Sequence, residues 1–202
     1  KIMRLWPTYF VSITITFVIT HIFYLPGRMS SWKDWILNCF LLNGFIMTPY
    51  VDGAHWYITT LISITLIFGI IREIDMLDNP IAYMMWIIFS VVVEKFGLIY
   101  ISNLLGNVYV AVACMGVIVY KIHKIEIRKE VSRFLKWVPL AAMALGYMYY
   151  FEGSLHMIEL LCATIIVYFS VDGKIYFLEQ KFFLRLGLIS YPLYLIHQNI
   201  GY

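Results

Sequence analysis

"PIAYMMWIIFSVVVEKFGLIYISNLLGNVYVAVACMGVIVY", residues 80–120, is apolar almost without interruption. As one helix at 1.5 Å per residue it would run roughly 60 Å, twice the thickness of a bilayer's hydrocarbon core. It must therefore fold back on itself, and the only polar phrase within it, "EKFGLIYISN" (Glu94 to Asn103), marks where. The segment also starts as a helix should, because Asn79-Pro80 supplies an N-cap residue followed by proline at the first helical position.

The rest of the 202-residue chain has the same character, with 62% hydrophobic and 18% aromatic residues and only 13% charged. A soluble domain carries about 25% charged residues, so this composition has too little polar surface for water. We expect an all-α, polytopic transmembrane bundle. Its seven spans are expected at about 5–25, 54–71, 80–98, 102–120, 134–151, 154–171 and 186–202, forming one domain over residues 1–202. The run "ILNCFLLNGFIM" (Ile36 to Met47) is too short to cross and reads as an interfacial or re-entrant piece. The chain opens on Lys1 and stops inside an apolar run at Tyr202, so we expect an internal fragment of a longer protein.

Lysine and arginine give the expected orientation. On this topology twelve fall on one side (Lys1, Arg4, Arg72, six in 121–136, Lys174, Lys181 and Arg185) and three on the other (Arg28, Lys33 and Lys95). The positive-inside bias places the N-terminal end in the cytoplasm. The formal charge of +3 forms no basic stripe, which leaves nucleic acid out as a partner. Cys39, Cys114 and Cys162 have no metal-ligand or disulfide spacing, so no metal site is expected.

Ionisable groups in a bilayer are costly, and each is a candidate for function. Lys1 and Arg4, three apart on one helix face, suit an anionic group such as a phosphate, or serve as ordinary cytoplasmic anchors. On the opposite side "VDGAHWY" (Val51 to Tyr57) brings Asp52 and His55 to the mouth of the second span beside Trp56, and His156 and Glu159 share a face further on. A histidine beside a carboxylate can act as a general base, whereas polar residues among Trp and Tyr also fit an interfacial belt. In the closing "SYPLYLIHQNIGY" (Ser190 to Tyr202), Ser190, Tyr194 and His197 form one stripe flanked by Tyr191. Such a stripe is expected to face protein or a water-filled cavity, for catalysis or for interhelical bonding.

Three phrases carry a resemblance. "KIMRLWPTYF" is similar to an R-x-x-R followed by an aliphatic residue, an aromatic residue and proline. "VDGAHWYITTL" is similar to D-G-x-x-W-[ST]-L, and "LGLISYPLYLIHQNIGY" to G-x-[IL]-S-Y-x-[LI]-Y-L-x-H. In this order they resemble the membrane acyltransferase-3 family. The resemblance implies an O-acyltransferase moving an acyl group, commonly acetyl, from cytoplasmic acyl-CoA to an extracytoplasmic carbohydrate or glycolipid. The expected setting is the plasma (bacterial inner) membrane, with lipid around it and no bound cofactor.

Position by position, the resemblance puts Lys1 and Arg4 at the acyl donor, Trp56 at the middle motif, and Ser190, Tyr191, Tyr194 and His197 in the late motif. His197 and Tyr194 enter as supporting catalytic groups, since the family's usual base lies upstream of its R-x-x-R. Asp52, His55, Trp56, His156 and Glu159 enter as acceptor-side candidates. Lys1 replaces the first arginine, and Leu61 stands where relatives frequently carry a glutamate. The fragment alone is expected to be inactive. A multi-helix transporter or flippase, or a non-catalytic scaffold, is the alternative reading of the same intramembrane polar residues.

Overall fold

Asn79 caps a helix as expected, its side-chain oxygen accepting the Ile81 N–H at 3.0 Å. In the computed structural model 77% of the chain is helical. It describes residues 2–25, 27–124, 134–176 and 180–200, with the backbone alone at 2–4, 196 and 198–200. Nine α-helices are described: α1 (Ile2–Ile22), α2 (Trp32–Cys39), α3 (Trp56–Glu73), α4 (Pro80–Lys95), α5 (Ile99–Leu105), α6 (Tyr109–Lys124), α7 (Val138–Glu152), α8 (Ser154–Val171) and α9 (Lys181–Ile200). No strand occurs among the described residues.

Each of the seven expected spans falls on helix, but seven crossings do not follow from the helix lengths. Among the described residues four stretches are long and apolar enough to cross: Leu5–Ile22, Gly53–Glu73, Ile99–Lys124 and Ser154–Val171. Helices α4 and α7, at 16 and 15 residues, reach only about 24 and 22 Å at 1.5 Å per residue. That is short of a core of about 30 Å. Helix α9 starts on Lys181 and carries Arg185 one turn later. The segment at 36–47 behaves as expected, because α2 has eight residues and a further irregular stretch follows it.

The fold-back after α4 is sharper than the apolar run suggests. Gly97 turns the chain at φ 64°, and α5 ends at Gly106 (φ 89°) and Asn107 (φ 51°) before α6 begins. The expected single span 102–120 is thus a short helix, a break and a longer helix. A break exposes backbone carbonyls that lipid cannot satisfy. Ser63 Oγ therefore donates to the Asn103 carbonyl at 2.7 Å, and Trp86 Nε1 donates to that of Leu105 at 3.0 Å. Ser102 bonds both Glu94 and Asn107, closing the knot.

The chain divides into two compact units, Lys1–Ile62 with Glu179–Tyr202, and Ser63–Leu178. The second is built on an apolar core in which Tyr83, Trp86, Ile87, Val110, Cys114, Leu140 and Ala144 are buried. The first has a smaller apolar cluster (Tyr9, Ile13, Cys39, Ile58, Ile62 and Leu195) surrounded by buried polar side chains.

Candidate functional site

The first unit gathers its polar residues around one turn of chain. Asp52 is extended (φ −131°, ψ 134°), and its carboxylate accepts the Ala54 N–H at 2.9 Å. That N-cap starts a 3-10 turn, Gly53–His55, which runs directly into α3. The turn is the reason an acid and an imidazole three residues apart both point inward. Asp52 and His55 are 0% and 1% exposed.

Neighbouring elements hold the turn in place. Helix α2 opens with a capping box, Ser31 Oγ accepting the Asp34 N–H at 3.1 Å and Asp34 accepting the Ser31 N–H at 3.2 Å. At its other end the orphan carbonyls common to helix C-termini are taken up by α1. Trp6 Nε1 donates to the Cys39 carbonyl at 2.9 Å and Tyr9 Oη to that of Asn38 at 3.1 Å. The Asn38 side chain, wholly buried, donates to the Asp34 and Pro49 carbonyls at 2.7 and 3.0 Å. Its oxygen accepts the Val51 N–H at 3.3 Å. Asn38 thereby pins the strand of chain that leads into Asp52. Gly44 belongs to the same packing, since a Cβ there would strike the Thr59 and Tyr50 side chains.

Three segments then converge on one backbone oxygen. The Leu195 carbonyl in α9 accepts from Ser12 Oγ of α1 at 3.0 Å and from His55 Nε2 at 3.2 Å. Tyr194 Oη donates to the Ala54 carbonyl at 3.0 Å, and the Tyr9 ring meets the His55 ring edge-on at 5.0 Å. These contacts set the turn at the level of Tyr9 and Ser12 in α1 and not beyond its Ile22 end, where the seven-span topology puts Asp52 and His55. A carbonyl only accepts, so the bond to Leu195 fixes the imidazole proton on Nε2 and leaves Nδ1 with its lone pair. Nδ1 is buried and has no partner among the described residues. Chemically, this is a fixed-tautomer imidazole with one nitrogen ready to accept a proton from a hydroxyl. Thr16 Oγ1 and Asn43 Nδ2 in this unit are likewise buried and unpartnered.

The other sequence-derived candidates are placed as follows. Trp56 is at the start of α3, 36% exposed, its ring edge-on to Tyr57 at 6.1 Å. On α9 the packed face is Tyr191, Tyr194 and Leu195, with Tyr191 Oη donating to the Leu5 carbonyl at 3.3 Å. Ser190 and His197 lie off that face. Both are exposed, Ser190 Oγ bonding the Gly187 carbonyl at 2.8 Å and His197 Nδ1 that of Tyr194 at 2.6 Å. The expected inward stripe thus keeps Tyr194 and the flanking Tyr191 and adds Leu195, while Ser190 and His197 fall outside it. His156 and Glu159 are exposed on α8 in the second unit, and His156 Nδ1 bonds the Glu152 carbonyl at 2.9 Å. Arg4 falls in the first turns of α1, while Lys1 and the Arg4 side chain lie outside the described residues.

Sequence reasoning missed Tyr9, Ser12 and Asn38. The signal for the first two is a polar stripe on α1, Tyr9, Ser12, Thr16 and Thr20, stepping by three and four residues, all buried. The Leu195 carbonyl has no signal at all, since it is backbone.

A family model described as an acyltransferase domain matches residues 1–202. The chain therefore belongs to this acyltransferase-3 family and is a membrane acyltransferase. No curated protein and no solved structure matches the chain.

Proposed function

We propose that this acyltransferase transfers an acetyl group from acyl-CoA, on the cytoplasmic side, to a hydroxyl of an extracytoplasmic carbohydrate or glycolipid. Its setting is the bacterial inner membrane, with the N-terminal end of the chain in the cytoplasm. The donor, acceptor and setting follow the family. The catalytic base rests on one observation: the wholly buried His55, whose Nε2 is tied to the Leu195 carbonyl and whose Nδ1 has no partner among the described residues.

A hydroxyl is a weak nucleophile until a base within hydrogen-bond reach takes its proton. His55 Nδ1 takes that proton as the hydroxyl oxygen attacks the thioester carbonyl carbon. The C–S bond breaks, the ester forms, and the proton passes from the imidazolium to the departing thiolate. Asp52, Asn38 and Tyr194 act as positioning residues: the first two set the turn, and Tyr194 holds the Ala54 carbonyl immediately before His55. Lys1 and Arg4 take the donor's phosphates, for which a guanidinium's planar fork is well shaped. Trp56, His156 and Glu159 contribute to the acceptor side, the role the family resemblance implies for them. His197, Ser190 and Tyr191 support the acyl path along α9.

The test is full-length protein with radiolabelled acetyl-CoA and bacterial membranes. Base-labile label in carbohydrate, lost in an Arg4→Ala variant, is the expected result. Label that stays in coenzyme A, or that appears in protein alone, would contradict the reading.

A further inference from the structure

The second unit contains a cleft that the acyl-transfer reading does not use. Its volume is about 510 Å³, and it is lined by the end of α3, the α3–α4 turn, the start of α4 and the last turns of α6. That volume lies within the usual range for small-molecule sites. Its walls are unlike in chemistry. Phe68, Tyr83 and Tyr120 give aromatic surface, and Gly116 gives bare backbone, where a Cβ would meet nothing within 4 Å. At one end stand Lys121 and Lys124, both against the Tyr120 ring at 5.5 Å to its centroid, with Lys121 also 5.6 Å from that of Trp137.

The two lysines have a single described anion between them. Lys121 is ion-paired with Asp78, which also lines the cleft. The pair is lopsided: the lysine side chain is 12% exposed and the aspartate 92%. The cation is fixed by packing on two rings, whereas its counter-ion reaches in from solvent on a turn. An exposed aspartate gains little from such a pair, so a better anion displaces it easily. Among the described residues Lys124 has no carboxylate bonded to it, its ammonium bonding the Tyr120 side chain instead.

We propose that this cleft is a phosphate-binding site. A phosphorylated ligand places its phosphate between Lys121 and Lys124 and its flat or apolar body along Phe68, Gly116 and Tyr120, and Asp78 holds Lys121 when the ligand is absent. Two sources carry this chemistry. One is a nucleotide diphosphate other than the acyl donor, whose phosphates are assigned to Lys1 and Arg4. The other is the headgroup and upper chain of an anionic phospholipid, which basic pockets at a membrane surface also take. The cleft stands on its own geometry and does not rest on the donor proposed above.

The experiment uses the full-length protein in phosphatidylcholine nanodiscs. One arm titrates adenosine 3′,5′-diphosphate calorimetrically, and the other measures retention of phosphatidylglycerol by native mass spectrometry. A charge-assisted hydrogen bond is worth about 1.5–3 kcal/mol, so Lys124→Gln weakens the ligand about tenfold or more. Gly116→Leu puts a side chain into the cleft from a position whose Cβ meets nothing within 4 Å, and has the same effect. Asp78→Asn removes the competitor and tightens binding. Lys121→Gln reports the same contact, but its packing on Trp137 makes Lys124→Gln the cleaner variant. These responses in the nucleotide arm support a nucleotide site, and in the lipid arm a lipid site. The proposal is overturned if neither ligand responds, or if Asp78→Asn weakens binding as Lys124→Gln does. A protein that still transfers acetyl normally while both arms are unresponsive loses this cleft and keeps its acyltransferase reading.

Discussion

The two units bury different things. In Ser63–Leu178 the interior is apolar, and the buried polar residues are the serines Ser63, Ser90 and Ser102. Two of these patch the break in the helices around Asn103 and Asn107. In the other unit the buried set includes Ser12, Thr16, Thr20, Asn38, Asn43, Asp52, His55, Thr59 and Thr60. Several of these atoms, His55 Nδ1 among them, have no partner. A buried polar atom without a hydrogen bond costs free energy, and a membrane setting gives no relief. Ser90 Oγ and Tyr147 Oη in the apolar unit are also without a partner among the described residues. The contrast therefore lies in how many polar side chains each unit buries: one is built on packing, the other around a buried polar cluster.

That contrast can be broken from either side. The largest stability loss is expected in the apolar unit. Leu140→Ala empties a site that is 0% exposed and should cost about 2–5 kcal/mol, read as a lower melting temperature in detergent. In the polar unit Asn38→Ala should cost about 2–3 kcal/mol, because it removes the three hydrogen bonds of a wholly buried side chain. Unlike Leu140→Ala, it should also depress kcat in protein that remains folded, since the turn carrying His55 loses its anchor. Ser12→Ala removes one of two bonds to the Leu195 carbonyl and should cost about 1 kcal/mol. The smallest effect belongs to Asp78. The hydrogen bond from Lys121 holds its carboxyl below the usual range. The pair's contribution is therefore present above the unfolded pKa and lost as pH falls through the lower, folded one. The wild type should show this acid-side loss in pH-dependent melting, and Asp78→Asn should not.

Much of this arrangement was legible in residue order. Asn79-Pro80 marked the start of α4, and Glu152-Gly153 marked the joint between α7 and α8, where Gly153 takes φ 94°. The short run at 36–47 could be read as non-spanning from its length alone. The break at Gly106-Asn107 was hidden because the residues on both sides are as apolar as a continuous helix. In the site, "VDGAHW" announced Asp52 and His55, since an acid and an imidazole at a helix mouth are conspicuous in so apolar a chain. What could not be read was the third party. The Leu195 carbonyl lies 140 residues from His55 in sequence, and backbone oxygens leave no mark in side-chain pattern. The exposed settings of His197 and Ser190 were equally hidden, because Ser190 lies about 100° round the helix from the packed Tyr191.

The central claim is that His55 holds the proton during acyl transfer. It is tested most directly by the rate of acetyl transfer from labelled acetyl-CoA by full-length His55→Gln protein whose melting temperature matches the wild type. Glutamine keeps a donor for the Leu195 carbonyl but offers no basic nitrogen, so the rate should fall about 100-fold or more. A folded His55→Gln protein that transfers acetyl within a few-fold of the wild-type rate would contradict the account.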